Sequence, residues 1–136
     1  MIGPIQKTEF LPIQSAADVI LVRQRVRVWS EEMNFSLVEK TKIVTAASEL
    51  ARNALEHGGG GQLEIEQVSS GMRQGIRLAF SDNGPGIANV NLALTDGYAS
   101  GRGMGLGLGG SKRLMDEFSI DTQIGRGTKV TCIRWK

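Results

Sequence analysis

Residues 101–110 read GRGMGLGLGG and run straight into SKRLMDEF, an apolar, helix-like segment. Six of those ten residues are glycine. Bare backbone at a helix mouth lets N–H groups approach an anion closely, and the helix dipole favours negative charge there. A polyphosphate at 103–107 fits that chemistry; a flexible, glycine-rich helix entry is the alternative. Gly105, Gly107 and Gly110 also match G-x-G-x-x-G, the mark of a dinucleotide fold. That fold needs a buried strand just before the run, and LTDGYASGR (94–102) is a poor strand. It also needs further parallel strands downstream, and too little chain remains for them. The glycine run therefore belongs to a different fold.

Working outward, a third helix is expected over about Leu106–Glu117. Two strands, Phe118–Ile124 and Lys129–Trp135, follow and meet at the GRG turn 125–127. Upstream lies a glycine- and polar-rich stretch, 83–104. Before it, Gln62–Ser69 and Gly75–Ser81 read as a hairpin with Gly71 in its turn. Ser36 and Glu39 form a capping box that opens a helix running to about His57, and Gly58–Gly61 ends it. From Ala16 to Met33 the apolar spacing is helical, through Val19, Val22, Val26 and Trp29, with Ser15 and Asp18 as a second capping box. TEFLPI (8–13) reads as an edge strand, where Pro12 is tolerated. The order is β-α-α-β-β-loop-α-β-β. Two hairpins imply a mostly antiparallel sheet with helices on one face, a two-layer α+β sandwich.

The composition sets outer limits. A chain of 136 residues fits one domain, with 40% hydrophobic and 22% charged residues. A net charge of +2, spread along the chain, argues against nucleic acid as a partner. Arg23 and Arg27 share a helix face that could meet an acidic partner, but a solvated face explains them more simply. Cys132 is the only cysteine, so no internal disulfide forms, and it reads as a buried small side chain. No secretion signal and no membrane-length apolar run are evident, so the expected location is cytoplasmic.

Two further stretches carry chemistry. In AASELARNALEH (46–57), Ile43, Ala47, Leu50 and Ala54 fall on one stripe at about 100° per residue. Glu49, Asn53 and His57 line its border, while Arg52 and Glu56 face outward. Asn53 offers a neutral carbonyl oxygen suited to Mg²⁺, and Glu49 a carboxylate able to accept a proton from an attacking hydroxyl. The alternative is a solvated edge on which Glu49 pairs with Arg52 or Arg23. His57 is better read as a dipole-favoured helix end than as a phosphate acceptor. The second stretch, DNGPGI (82–87), follows a strand. Asp82 could accept a hydrogen bond from an exocyclic amine such as that of adenine, or simply close an Asx-turn.

Together, ELARNA, DNGPGI, GRGMGLG and the later GT resemble the Bergerat (GHKL) ATP-binding family of gyrase, Hsp90, histidine kinases and MutL. The resemblance implies that Asn53 binds Mg²⁺ and that Asp82 binds adenine, with Gly84, Gly86, Ile87 and Thr128 shaping the base pocket. It implies phosphate contacts at Gly103, Met104, Gly105, Leu106 and Gly107, and a lid at about 88–102. The length suits a stand-alone domain. KRLMDEFSI, SELARN and GRGT are similar to the RsbT-type switch kinases of bacterial stress signalling, relatives of RsbW- and SpoIIAB-like anti-sigma kinases. That resemblance implies ATP-dependent phosphorylation of a serine or threonine on a STAS-domain protein, with Glu49 as base and Arg102 a candidate to steady the phosphoryl group. It also implies that the released kinase activates a PP2C-type phosphatase. The rival reading is a nucleotide-binding anti-sigma factor or scaffold that acts by sequestering a partner.

Overall fold

The computed structural model describes residues 2–3, 6–94 and 107–136. The chain begins with strand β1 (Lys7–Ile13) and continues through helices α1 (Ala16–Glu32) and α2 (Leu37–Glu56). The hairpin β2 (Gly61–Ser70) and β3 (Arg73–Asp82) follows, then short helix α3 (Val90–Ala93), helix α4 (Gly107–Leu114) and strands β4 (Glu117–Gln123) and β5 (Gly127–Trp135). The strands form one fully antiparallel sheet in the order β1-β2-β3-β5-β4. The expected α+β sandwich is therefore the observed one.

One sheet face carries Leu11, Ile13, Leu63, Ile65, Ile76, Leu78, Phe80, Val130 and Cys132, and the helices cover it. The apolar stripe of α1 (Val19, Val22, Val26, Trp29) and that of α2 close the layer. Four of the buried α2 residues are Ala46, Ala47, Ala51 and Ala54, small enough to let the helix approach α1 and the sheet closely. On the other sheet face a smaller cluster of Val68, Ile133 and Trp135 packs with Ile2.

Local details follow sequence chemistry with three differences. The box at Ser36 and Glu39 is complete, but at Ser15 only half forms: the Asp18 N–H donates to Ser15 Oγ, while the Asp18 carboxylate accepts from the Gln14 N–H at 2.8 Å. The stretch expected as pure loop contains α3. The last helix ends at Leu114, three residues earlier than its apolar pattern suggests. There the sheet takes over: the Asp116 N–H donates to the Ile133 carbonyl at 2.9 Å, and its carboxylate accepts from the Trp135 N–H at 2.7 Å. Arg134 meanwhile donates to the orphan Leu114 carbonyl at the helix end. No described helix is long and apolar enough to cross a membrane.

Candidate functional site

Because β5 inserts between β3 and β4, the end of β3 is flanked by two other strand starts. Asp82 lies opposite Gly61 of β2 on one side and opposite Thr128 of β5 on the other. Two elements distant in sequence, DNGPGI and GT, are thus direct neighbours. The C-terminal end of α2 packs on the same spot. A Cβ built on Gly84 would lie 2.6 Å from the Gly58 Cα, so the two backbones touch.

Asp82 is half-buried, and its Oδ1 accepts from the Gly84 N–H at 2.9 Å. The Asx-turn is real, yet it occupies one carboxylate oxygen only. Beyond it the chain turns at Gly86, whose φ of 81° suits glycine and where a Cβ would overlap the Gln123 carbonyl. The Gly125 N–H donates to the Pro85 carbonyl at 2.9 Å, and the Ile87 N–H to Thr122 Oγ1 at 3.0 Å. The DNGPGI turn is therefore pinned to the β4–β5 turn.

Thr122 is a residue that sequence reasoning missed. Its hydroxyl also lies 3.1 Å from the Gly127 carbonyl and 2.9 Å from Thr128 Oγ1. A hydroxyl has one proton. If Thr122 gives it to Gly127, Thr128 must donate to Thr122, and the Thr128 oxygen then keeps its acceptor capacity. The sequence held a signal: Thr122 and Thr128 stand symmetrically about Gly125 and pair across the hairpin.

Glu49 is only 8% exposed, and its carboxylate pairs with the Arg52 guanidinium. The pair is the one that the alternative reading anticipated, but Glu49 is buried and not on a solvated edge; Arg52, expected to face outward, has a side chain that is 43% exposed yet folds back onto Glu49. Arg23 stays exposed on α1. Asn53, half-buried one turn further on, uses its backbone carbonyl to accept from the N–H groups of His57 and Gly58, closing α2. His57 is the exposed C-cap.

Of the glycine run, Gly107 opens α4 with φ 70° and its carbonyl accepts from Ser111 Oγ. Helix α4 packs on α2, so this end of the run lies beside the helix that carries Glu49 and Asn53. Arg102, Gly103, Met104, Gly105 and Leu106 lie outside the described residues, as does the expected lid beyond Leu94. Among the described residues no three His, Cys, Asp or Glu side chains cluster to hold a metal. The donor set instead suits an ion taken with phosphates, for which one amide oxygen suffices. Cys132 is buried, and burial pushes its thiol up to about 12, so it is inert.

A two-layer sandwich whose helix end, acidic turn and threonine strand meet at one point defines a class. The chain belongs to the family of histidine kinase-, DNA gyrase B- and HSP90-like ATPases, whose model matches residues 38–136. More narrowly, it is 41% identical over 123 residues to the serine/threonine-protein kinase RsbT of Bacillus subtilis (strain 168), covering 90% of this chain and 92% of the relative. An anti-sigma F factor of Clostridium kluyveri is 26% identical over 128 residues, 91% of this chain and 89% of that protein. A crystal structure of RsbU and RsbW domains from Mycobacterium tuberculosis superposes with a TM-score of 0.65 at 21% identity. It covers 96% of this chain and 33% of that one, and bears on the fold alone. Use of ATP follows from the family, and the resemblance to serine/threonine-protein kinases of the RsbT type is borne out.

Proposed function

We propose that the chain is a one-domain, cytoplasmic protein kinase that transfers the γ-phosphoryl group of ATP to a serine or threonine of a STAS-domain protein. The observation that carries this reading is the meeting of the α2 end, Asp82 and Thr128 at one point, in a chain 41% identical to a serine/threonine-protein kinase. Asp82 Oδ2, free of the Asx-turn, accepts from the adenine amine. Thr128, Gly84, Gly86 and Ile87 wall the base. Asn53 supplies its amide oxygen to Mg²⁺, which neutralises phosphate charge when bound. Gly107 and the preceding glycines give N–H groups to the phosphates.

In the transfer, the acceptor hydroxyl forms a bond to the γ-phosphorus. The bond to the β–γ bridging oxygen breaks, ADP leaves with that electron pair, and the hydroxyl proton passes to Glu49. Such chemistry depends mainly on positioning and charge neutralisation. The STAS substrate, and activation of a PP2C-type phosphatase by the released kinase, rest on the family resemblance.

The test is transfer of radiolabelled phosphate from ATP to the cognate STAS protein. Glu49→Gln and Asn53→Ala should each abolish it, and unchanged transfer by both would sink the role assignments. The similarity to anti-sigma F factors supports a second reading, a nucleotide-dependent module that sequesters a partner. Affinity capture separates the two: a sigma factor favours sequestration, whereas a STAS protein with a phosphatase favours the kinase.

A further inference from the structure

Asp82 is enclosed by glycines from three directions. At Gly61 and Gly127 a Cβ would overlap the backbone about it, the first at the Ser81 carbonyl and the second at the Asp82 carbonyl. Gly84 binds its Oδ1. Gly58 is different, because it faces the side chain. A Cβ on Gly58 would lie 2.5 Å from the Asp82 Cβ and 2.6 Å from Oδ2, and would overlap Cγ. Real Cβ atoms do not approach so closely, and the atoms met are the short, turn-locked side chain of Asp82, which has little room to swing away.

Gly58 has no backbone reason to be glycine. Its φ is not in the left-handed region, unlike Gly59 (φ 74°) and Gly60 (φ 109°) just after it. Alanine would fit the backbone at 58. What glycine provides there is space for a carboxylate 24 residues later in the chain. That carboxylate has one oxygen committed to Gly84 and the other, Oδ2, with no hydrogen-bond partner among the described residues.

We propose that Gly58 is a specificity-determining positioning residue, which keeps Asp82 Oδ2 where it accepts a hydrogen bond from the adenine amine. The inference rests on the reading of Asp82 as the adenine acceptor. A methyl group at 58 displaces the carboxylate and costs base recognition while leaving the triphosphate contacts intact. Guanine carries a carbonyl oxygen where adenine carries the amine. It gains nothing from Oδ2, so its binding is insensitive to Gly58.

The experiment is calorimetric titration of the full chain with Mg-ATP and Mg-GTP, for wild type, Gly58→Ala, Asp82→Gly and the double variant. Wild type should prefer ATP. Gly58→Ala should weaken ATP by about 10- to 100-fold, the range of one hydrogen bond to a charged group, and leave GTP within about twofold. In the Asp82→Gly background, where neither the carboxylate nor the Cβ that the new methyl would meet remains, Gly58→Ala should change neither nucleotide further. Parallel losses for ATP and GTP, or an undiminished effect of Gly58→Ala in the Asp82→Gly background, would overturn the proposal. If Asp82→Gly itself keeps the full ATP preference, the adenine reading of Asp82 fails first, and that result is distinct from a failure at Gly58 alone. Should Gly58→Ala fold poorly by itself, the double variant decides: recovered folding shows the Asp82 side chain to be the obstacle, and continued misfolding refutes it.

Discussion

Two carboxylate–arginine pairs in this molecule are alike in chemistry and differ in what they join. Glu9 of β1 meets Arg25 of α1 through two near-parallel bonds of 2.9 Å, and also accepts from the Trp29 indole N–H at 2.7 Å. Lys7 lies over the same indole, 4.4 Å from its centroid, and pairs with Glu32. This cluster clips the edge strand to the helix layer. Glu49 and Arg52, by contrast, sit one turn apart on a single helix, and their pairing joins nothing that the helix does not already hold. A buried carboxylate whose only partner among the described residues is a half-exposed arginine adds little to the fold. It is a group available for chemistry. The lesson is that the elements joined, and not the pair itself, separate a scaffold from a site.

The largest test of this contrast exchanges the readouts. Glu49→Gln should lower phosphoryl transfer by about 10²- to 10⁴-fold, the usual worth of a general base, and barely move the melting temperature. Glu9→Gln should do the reverse. Losing the charge-assisted bonds to Arg25, discounted for the part-exposed position, should cost about 1 kcal/mol of stability and leave transfer near wild type. If Glu9→Gln damaged transfer as much as Glu49→Gln, or Glu49→Gln unfolded the protein, the division would fail.

A smaller effect sharpens the same contrast through pH. The Arg25 hydrogen bond holds the Glu9 carboxyl below its ordinary range; burial opposes this, and the Trp29 hydrogen bond adds to it. A carboxyl with a lowered folded-state value binds protons more readily when unfolded. Its stabilisation is therefore present above the unfolded value of 4.5 and is lost as pH falls below that point toward the folded value. Denaturant melts of wild type between neutral pH and about pH 3 should show a loss that Glu9→Gln lacks in part. Identical slopes for the two proteins would remove the clip from the stability account.

These two regions also differ in how far they could be read from sequence. Glu49, Asn53, Asp82 and the glycine run announce themselves by residue type and local spacing, and caps and turn glycines gave the element order. Apart from the short helix α3 and the half-formed box at Ser15, what was missed depends on what the sheet brings together. Thr122 acquires meaning only once Gln123 pairs with Gly127, and Gly58 only once α2 ends against Asp82. The Glu9–Arg25–Trp29 clip spans 20 residues, and no local pattern marks it. The early end of α4 has the same origin. Apolar periodicity continues to Glu117, but β5 claims the backbone of Asp116 first. Short-range chemistry was legible; cross-strand register was not.

The smallest expected difference is the one within each pair, between losing the arginine and losing the carboxylate. For an exposed pair at i,i+3, loss of the arginine would cost about 0.2–0.5 kcal/mol. Here the partners are unequally exposed, with side chains at 43% for Arg52 and 10% for Glu49. Removing the carboxylate leaves an arginine that water can serve. Removing the arginine leaves a carboxylate that water reaches poorly, so Arg52→Gln should cost more than Glu49→Gln, about 1 kcal/mol against a few tenths. At the clip the order reverses. Arg25→Gln leaves Glu9 the Trp29 indole as a donor, whereas Glu9→Ala strips both Arg25 and Trp29 of their shared acceptor. Chemical denaturation of the four variants under one set of conditions measures both orders. Equal costs within each pair would mean that burial, the property that sets Glu49 apart from Glu9, does not govern how either carboxylate is held.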